Sequence, residues 1–442
     1  MDAILDIPLP YRLAGLAAIG VCIGAVLNWA IYRLSPAARP ISPWSDPSPQ
    51  AKPGSWFDLV PVFGWLLLRR DSGLHGRGFW VRPMLLELAV GGIYAGLYWW
   101  EVVKLGLISG LVVPLPPPPI TMPGADLLLA VHMNYLSHVV LMSFMIAATF
   151  IDIDEWTIPD SITLPGTLVG LWMAAIVPNS LLIEQVRRMA VGGEVVDTLH
   201  LASPNEWPRA LNGILGNWPL MIGLGCFLLW CFALLPRTWR MRRGLDTAVT
   251  LFLGHIVREP FSWLVGAMAL AGSFAIWGIY RLGPPYWVGL LSALVGLAGS
   301  ALLVWSVRII GTAVLKREAM GFGDVTLMAM IGAFLGWQAG VLVFFLAPFV
   351  ALVFGLVQLV IRRHEAIPYG PFLCVAAAGL IVGWSPAWTR VSPIFANGWI
   401  VPGVLAACMV LLAVLLALVE GAKGLFTEEN EAPGNSEAQP PA

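Results

Sequence analysis

Apolar residues run along this chain in long blocks separated by short polar breaks. The blocks lie at roughly 13–34, 83–113, 126–151, 161–178, 212–235, 260–280, 284–309, 326–361, 369–386 and 397–421. Most match the about 20 apolar residues that carry a helix across a hydrocarbon core about 30 Å thick. Lipid offers no partner to an exposed peptide group, so blocks of this length are predicted to be helices. The pattern predicts an all-α fold, a polytopic bundle of about 10–11 transmembrane spans. The block 326–361 is about twice one span. It either crosses twice or opens with a short re-entrant helix, and both routes return the basic cluster Arg362, Arg363 and His364 to the side it started from.

Composition supports a membrane solvent. Of 442 residues 58% are hydrophobic and 12% charged, with mean hydropathy +0.80, where soluble domains carry about a quarter charged residues. A net charge of -1 gives no sign of nucleic-acid binding. The five cysteines, Cys22, Cys226, Cys231, Cys374 and Cys408, contain no C-x-x-C pair, so neither a disulfide framework nor a zinc site is read from them. The N-terminal segment carries Asp2 and Asp6 where a secretory signal carries positive charge, and is read as leading into a retained first span.

Basic residues set the orientation. Placing 33–82, 236–259, 308–325, 362–368 and the tail in the cytoplasm puts 18 of the 25 Lys and Arg there. The N-terminus is then outside, the C-terminus cytoplasmic, and the protein a multi-pass resident of the cell inner membrane. The stretch 35–82 reads as a cytoplasmic loop, 114–119 (PLPPPP) as a rigid external connector and 422–442 as a disordered tail.

Ionisable groups beside apolar helices are costly and therefore functional candidates. Two places qualify. One is Asp152-Ile153-Asp154-Glu155-Trp156-Thr157-Ile158-Pro159-Asp160, at the end of an apolar block; the other is Gly321-Phe322-Gly323-Asp324, opening one. Each also has a plain reading, with Asp160 and Asp324 as helix caps and the glycines as turn residues. Taken together, Asp152 and Asp324 reach the same membrane face. A water-activating pair of carboxyl groups needs that, with Gly321 and Gly323 forming a loop that admits close backbone approach. Asp154 and Glu155 are expected to face the polar interface outside the pair. Glu87 is read as either lining the active cavity or reaching to the interface. The six histidines show no metal-ligand spacing.

These segments resemble the type IV prepilin peptidases, membrane aspartyl proteases of the G-x-G-D class. Ile23–Leu34 and Arg82–Leu88 resemble the family's first two helix signatures, Ile151–Asp160 its first aspartate segment, Lys316–Gly336 its G-x-G-D region and Ile367–Phe372 its short motif before the last spans, all in the family's order. The resemblance implies an aspartyl endopeptidase whose catalytic residues are Asp152 and Asp324. It implies cleavage of leader peptides from prepilin or pseudopilin substrates at the cytoplasmic face, and, for many members, N-methylation of the product with S-adenosylmethionine.

Two departures stand out. Many members hold zinc with two C-x-x-C pairs in the first loop, but 35–82 contains no cysteine, so no zinc is expected and methyl transfer stays open. The region 180–285 reads as an insertion with two extra spans, an even number that leaves both aspartates on one side. The expected units are 1–113, an N-terminal domain; 126–178, the first-aspartate hairpin; 180–285, the insertion; 286–421, the G-x-G-D core; and the tail. The alternatives are an inactive relative serving pilus or secretion assembly, an ion- or proton-coupled transporter, and a presenilin-like protease, whose Pro-Ala-Leu motif is replaced by Ile-Pro-Tyr-Gly-Pro.

Overall fold

A computed structural model describes residues 6–37, 41, 43, 54–114, 125–177, 179–188, 194–213, 216–235, 254, 258–361 and 367–430. The apolar blocks become helices. They are α1 (Leu9–Leu34), α2 (Val81–Tyr98), α3 (Leu127–Glu155), α4 (Asp160–Ile176), α5 (Trp218–Leu234) and α6 (Pro260–Leu282). After them come α7 (Tyr286–Leu315), α8 (Phe322–Leu335), α9 (Trp337–Ile361), α10 (Gly370–Val382), α11 (Trp384–Ala396) and α12 (Ile400–Asn430). Among the described residues six helices are long and apolar enough to cross a membrane, or seven with the bent pair α10–α11; α4, α5 and α8 are shorter apolar helices. The protein is a multi-pass membrane helical bundle.

The double-length block resolves into α8 and α9, separated at Gly336, whose φ of +86° favours a residue without a side chain. α8 is the central element: every residue from Asp324 to Leu335 is buried. It packs directly against α3, α4, α7, α9 and α10, and its side chains join two apolar clusters, one drawn mainly from α1–α4 and α9–α11 and the other mainly from α5–α7. Small residues let it lie close to α7, where a Cβ on Gly332 would stand 2.2 Å from the Gly296 carbonyl oxygen. The block 369–386 is not one straight span. It bends by 94° between α10 and α11 at Gly383.

At the bundle end away from the aspartates lies a four-stranded sheet that the hydrophobic pattern did not predict. Its strands are β1 (Val112–Pro114), β2 (Ala125–Asp126), β3 (Ile183–Arg188) and β4 (Glu194–Thr198), in the order β1-β3-β4-β2. β1 runs parallel to β3, while β3–β4 and β2–β4 are antiparallel. Indole and amide groups fasten the helices beneath it: Trp384 Nε1 donates to Ile183 O at 2.6 Å, Gln338 Nε2 to His200 O at 2.7 Å and Trp337 Nε1 to Leu201 O at 2.9 Å. The block 83–113 was read as apolar throughout, but α2 ends at Tyr98 and a π turn over Trp99–Val103 leads toward β1.

The described part of the first loop, from residue 54 on, is tied back onto the first two helices. Glu87 neither lines the site nor reaches an interface. It is 1% exposed and accepts hydrogen bonds from Asn28 Nδ2 at 3.0 Å, Trp65 Nε1 at 2.8 Å and the Val62 N–H. Asp58 closes a capping box with Ser55 and pairs with Arg70 at 2.6 Å. At the other end of the chain α12 continues to Asn430, past the expected start of the tail at 422, because the polar stretch that follows the apolar block keeps helical backbone. The connector at 115–119, the Arg237–Arg243 cluster and 431–442 lie outside the described residues.

Candidate active site

α3 delivers Asp152 in its last turn. The helix stops just beyond, where Trp156 takes φ +56° and its N–H bonds back to Asp152 O at 2.8 Å. The chain then runs through Ile158 and Pro159 into α4, whose first turn holds Asp160. Asp324 sits in the first turn of α8, with Gly321 as the N-cap; the helix begins at Phe322, so Asp324 is not itself the cap. A carboxylate in a first helical turn is favoured by the backbone dipole.

The two aspartates come together although 171 residues lie between them. Asp152 is 4% exposed and Asp324 8%, and the charge of Asp152 acts on Asp324. Both also act on the buried thiol of Cys374 in α10. Gly323 permits the approach: a Cβ there would lie 2.9 Å from Ile158 Cβ and 3.2 Å from Ile158 N and O. Its bareness therefore admits the backbone of this chain's own first aspartate segment. Gly321 is less confined, with only ordinary contacts to Asp324 and Gly323.

The segment Ile367–Phe372 supplies the third wall. Gly370 lies against the Asp152 carboxyl group: a Cβ on Gly370 would fall 2.5 Å from Asp152 Oδ2. That oxygen has no hydrogen-bond partner. Tyr369 lies within electrostatic range of Asp324. The sequence marked this segment by its pattern and gave it no role, because its contact with Asp152 exists only once α10 is packed against α3.

Two short helices carry the walls of the site toward the sheet. At about 1.5 Å per residue, the 14 residues of α8 and 13 of α10 span about 20 Å, less than a hydrocarbon core of about 30 Å. Both start at the aspartates and end near the sheet.

Asp154 departs from expectation. It does not face open interface: its side chain is 13% exposed and Arg82 Nη1 donates to its Oδ1 at 2.7 Å. A zinc centre in the first loop does not fit the residues present. The loop has no thiol, Glu87 is engaged by three donors, and no group of three His, Cys, Asp or Glu that could hold a metal occurs among the described residues.

Comparison with known proteins agrees with this architecture. A family model described as "Type IV leader peptidase family" matches residues 261–356, which include Asp324, and one described as "Bacterial Peptidase A24 N-terminal domain" matches 18–101. The first match begins inside the region read as inserted. Leader peptidase HopD of Escherichia coli is 36% identical over 162 residues, 35% of this chain and 88% of that protein. A prepilin leader peptidase/N-methyltransferase of Pseudomonas aeruginosa is 30% identical over 175 residues, 33% of this chain and 59% of that protein. One of the same description from Aeromonas salmonicida is 34% identical over 120 residues, 26% of this chain. The chain thus spans 59% and 40% of the lengths of these last two relatives. No solved structure matches it. With both halves of the family's pattern present and most of a leader peptidase's length aligned, the chain belongs to the type IV leader peptidase family.

Proposed function

We propose that this protein is a membrane-embedded aspartyl endopeptidase that removes leader peptides from type IV prepilin-like or pseudopilin substrates at the cytoplasmic face of the inner membrane. Asp152 and Asp324 are its two catalytic carboxyl groups. The observation that carries the reading is their convergence: two aspartates with 171 residues between them in sequence are both buried, and Asp324 lies in reach of the charge of Asp152.

Two carboxyl groups in such a place share one proton, since like charges so placed do not both ionise easily. The ionised member takes a proton from water. The resulting hydroxide attacks the scissile carbonyl carbon, while the protonated member donates to the carbonyl oxygen. The tetrahedral intermediate collapses as the C–N bond breaks: the amine leaves with one proton from the pair, and a hydroxyl of the intermediate returns one, which restores the singly protonated pair. Burial of the pair limits bulk water and strengthens these electrostatic contacts. Gly323 and Gly370 are packed against Ile158 and Asp152, so an extended substrate lies along the less confined Gly321.

No residue is assigned to methyl transfer. S-Adenosylmethionine, if used, would supply a methyl group to the new N-terminus. Of the region read as inserted, α6 from Phe261 on lies within the family match at 261–356, and α5, outside both matches, is read as an addition packed against α6 and α7.

The test uses the full chain in lipid bilayers with a substrate carrying a short basic leader before an apolar segment. Cleavage at the leader junction, read by mass spectrometry, is expected without added metal, and the same spectrum shows whether the product gains a methyl group. An uncut substrate under all conditions would contradict the proposal and favour an assembly role for an inactive relative.

A further inference from the structure

The last turn of a helix is its least secure part, because its terminal carbonyls lack intrahelical donors. Asp152 stands in the last turn of α3, three residues before the end at Glu155. A carboxyl group that must be placed to within a fraction of an ångström therefore needs an outside tie.

Arg82 provides one. It enters from the first turn of α2, where its Nη1 donates to Asp154 Oδ1 at 2.7 Å and its Nη2 reaches Phe150 O at 3.5 Å. Its guanidinium also lies over the Phe150 ring, 4.9 Å from the centroid. Phe150 and Asp154 flank Asp152 two residues before and two after it. One planar side chain thus grips the turn on both sides of Asp152, by a carbonyl, a ring and a carboxylate, a fork that lysine cannot reproduce. Arg82 itself has a firm base. Five residues further along α2, Glu87 ties that helix to Asn28 of α1 and to the loop at Val62 and Trp65. From the other side Gly370 presses on Asp152 Oδ2.

We infer that Arg82 and Asp154 are positioning residues for catalysis, which hold Asp152 in register with Asp324 and so make the N-terminal unit part of the active site. The inference rests on the proposed peptidase reading. A helix end released by a small displacement keeps its fold and loses its alignment, and misplacement of about 1 Å costs up to about 100-fold in rate.

The experiment measures leader cleavage by the full chain in bilayers for Arg82→Gln, Arg82→Lys, Asp154→Asn, the double variant Arg82→Gln/Asp154→Asn, and Asp152→Asn. Arg82→Gln and Asp154→Asn are each expected to lower kcat about tenfold per folded enzyme while KM changes by less than about twofold. Arg82→Lys should recover part of the loss, and the double variant should be no worse than either single one, because both changes remove one interaction. Thermal melting of each variant separates this from a structural role, which would lower the folded fraction and leave kcat per folded enzyme unchanged. Wild-type kcat in Arg82→Gln beside an inactive Asp152→Asn would overturn the positioning role and leave the peptidase reading standing. An active Asp152→Asn would overturn both.

Discussion

Asp152 meets Gly370 so closely that the α-carbon of one residue forms the floor under the carboxylate of the other. Gly370→Ala would place a methyl group 2.5 Å from Asp152 Oδ2, and with Ile158 on its other flank the methyl would push the carboxyl group from its place. Activity is predicted to fall by about 10- to 100-fold with KM little changed, measured as leader cleavage by the variant in bilayers. A wild-type kcat would show that Asp152 has room to move without cost. At this scale the two aspartates were legible because a G-x-G-D tetrapeptide and an acidic helix end are local patterns. The contacts that place them were not. Gly370 and Arg82 act on Asp152 from 218 and 70 positions away in the sequence, and Asp154 was expected at an open interface because nothing beside it in sequence announces a partner.

Helices were the legible elements. Most apolar blocks became one helix or a broken pair, since a block long enough to span leaves the backbone few other ways to satisfy its peptide groups in lipid; the block 83–113 instead gave α2, a π turn and β1. The breaks were not all legible: Gly336 and Gly383 end helices inside blocks that stay apolar on both sides. The sheet was illegible for a different reason. Two of its strands have three and two residues, too few for an alternating pattern to stand out from the loops around them. Inside that sheet, burial pushes the Glu184 carboxyl up to about 7 from its ordinary 4.5, against an opposing hydrogen bond from Ser203. His200, 3.9 Å away, is pushed down to about 4 by burial and so brings no charge at neutral pH. The folded protein therefore binds a proton there that the unfolded chain releases earlier. That stabilisation is complete below pH about 4.5 and is lost as pH rises toward 7. Neutral burial of His200 acts with the opposite sign, favouring the fold as pH rises through about 4 to 6.5. The quantity predicted to fall between pH 5 and pH 8 is therefore the melting temperature of the wild type relative to that of Glu184→Gln, in which the His200 contribution is shared. An unchanged slope in Glu184→Gln would assign the pH dependence to other groups.

For the molecule as a whole, the orientation proposed from charge makes a prediction about which ends of the fold face which side. The first loop, the 316–321 loop and both aspartates gather at one end, and the sheet with the loop at 200–205 closes the other. In a background with the five native cysteines replaced, Glu318→Cys, whose position is 77% exposed, should react with an impermeant thiol reagent only from the cytoplasmic side. Asn205→Cys should react only from outside. Labelling of both from one side would contradict the crossing scheme. The central claim is that Asp152 and Asp324 act as one catalytic pair, and its most direct test is leader cleavage by Asp152→Asn, Asp324→Asn and the double variant, each verified as folded and membrane-inserted. Each single change removes one half of a device that needs an ionised and a protonated carboxyl group together. Each should therefore abolish cleavage by about 1,000-fold or more, and the double variant should fall no further. A folded Asp324→Asn protein that still removes the leader would contradict the account.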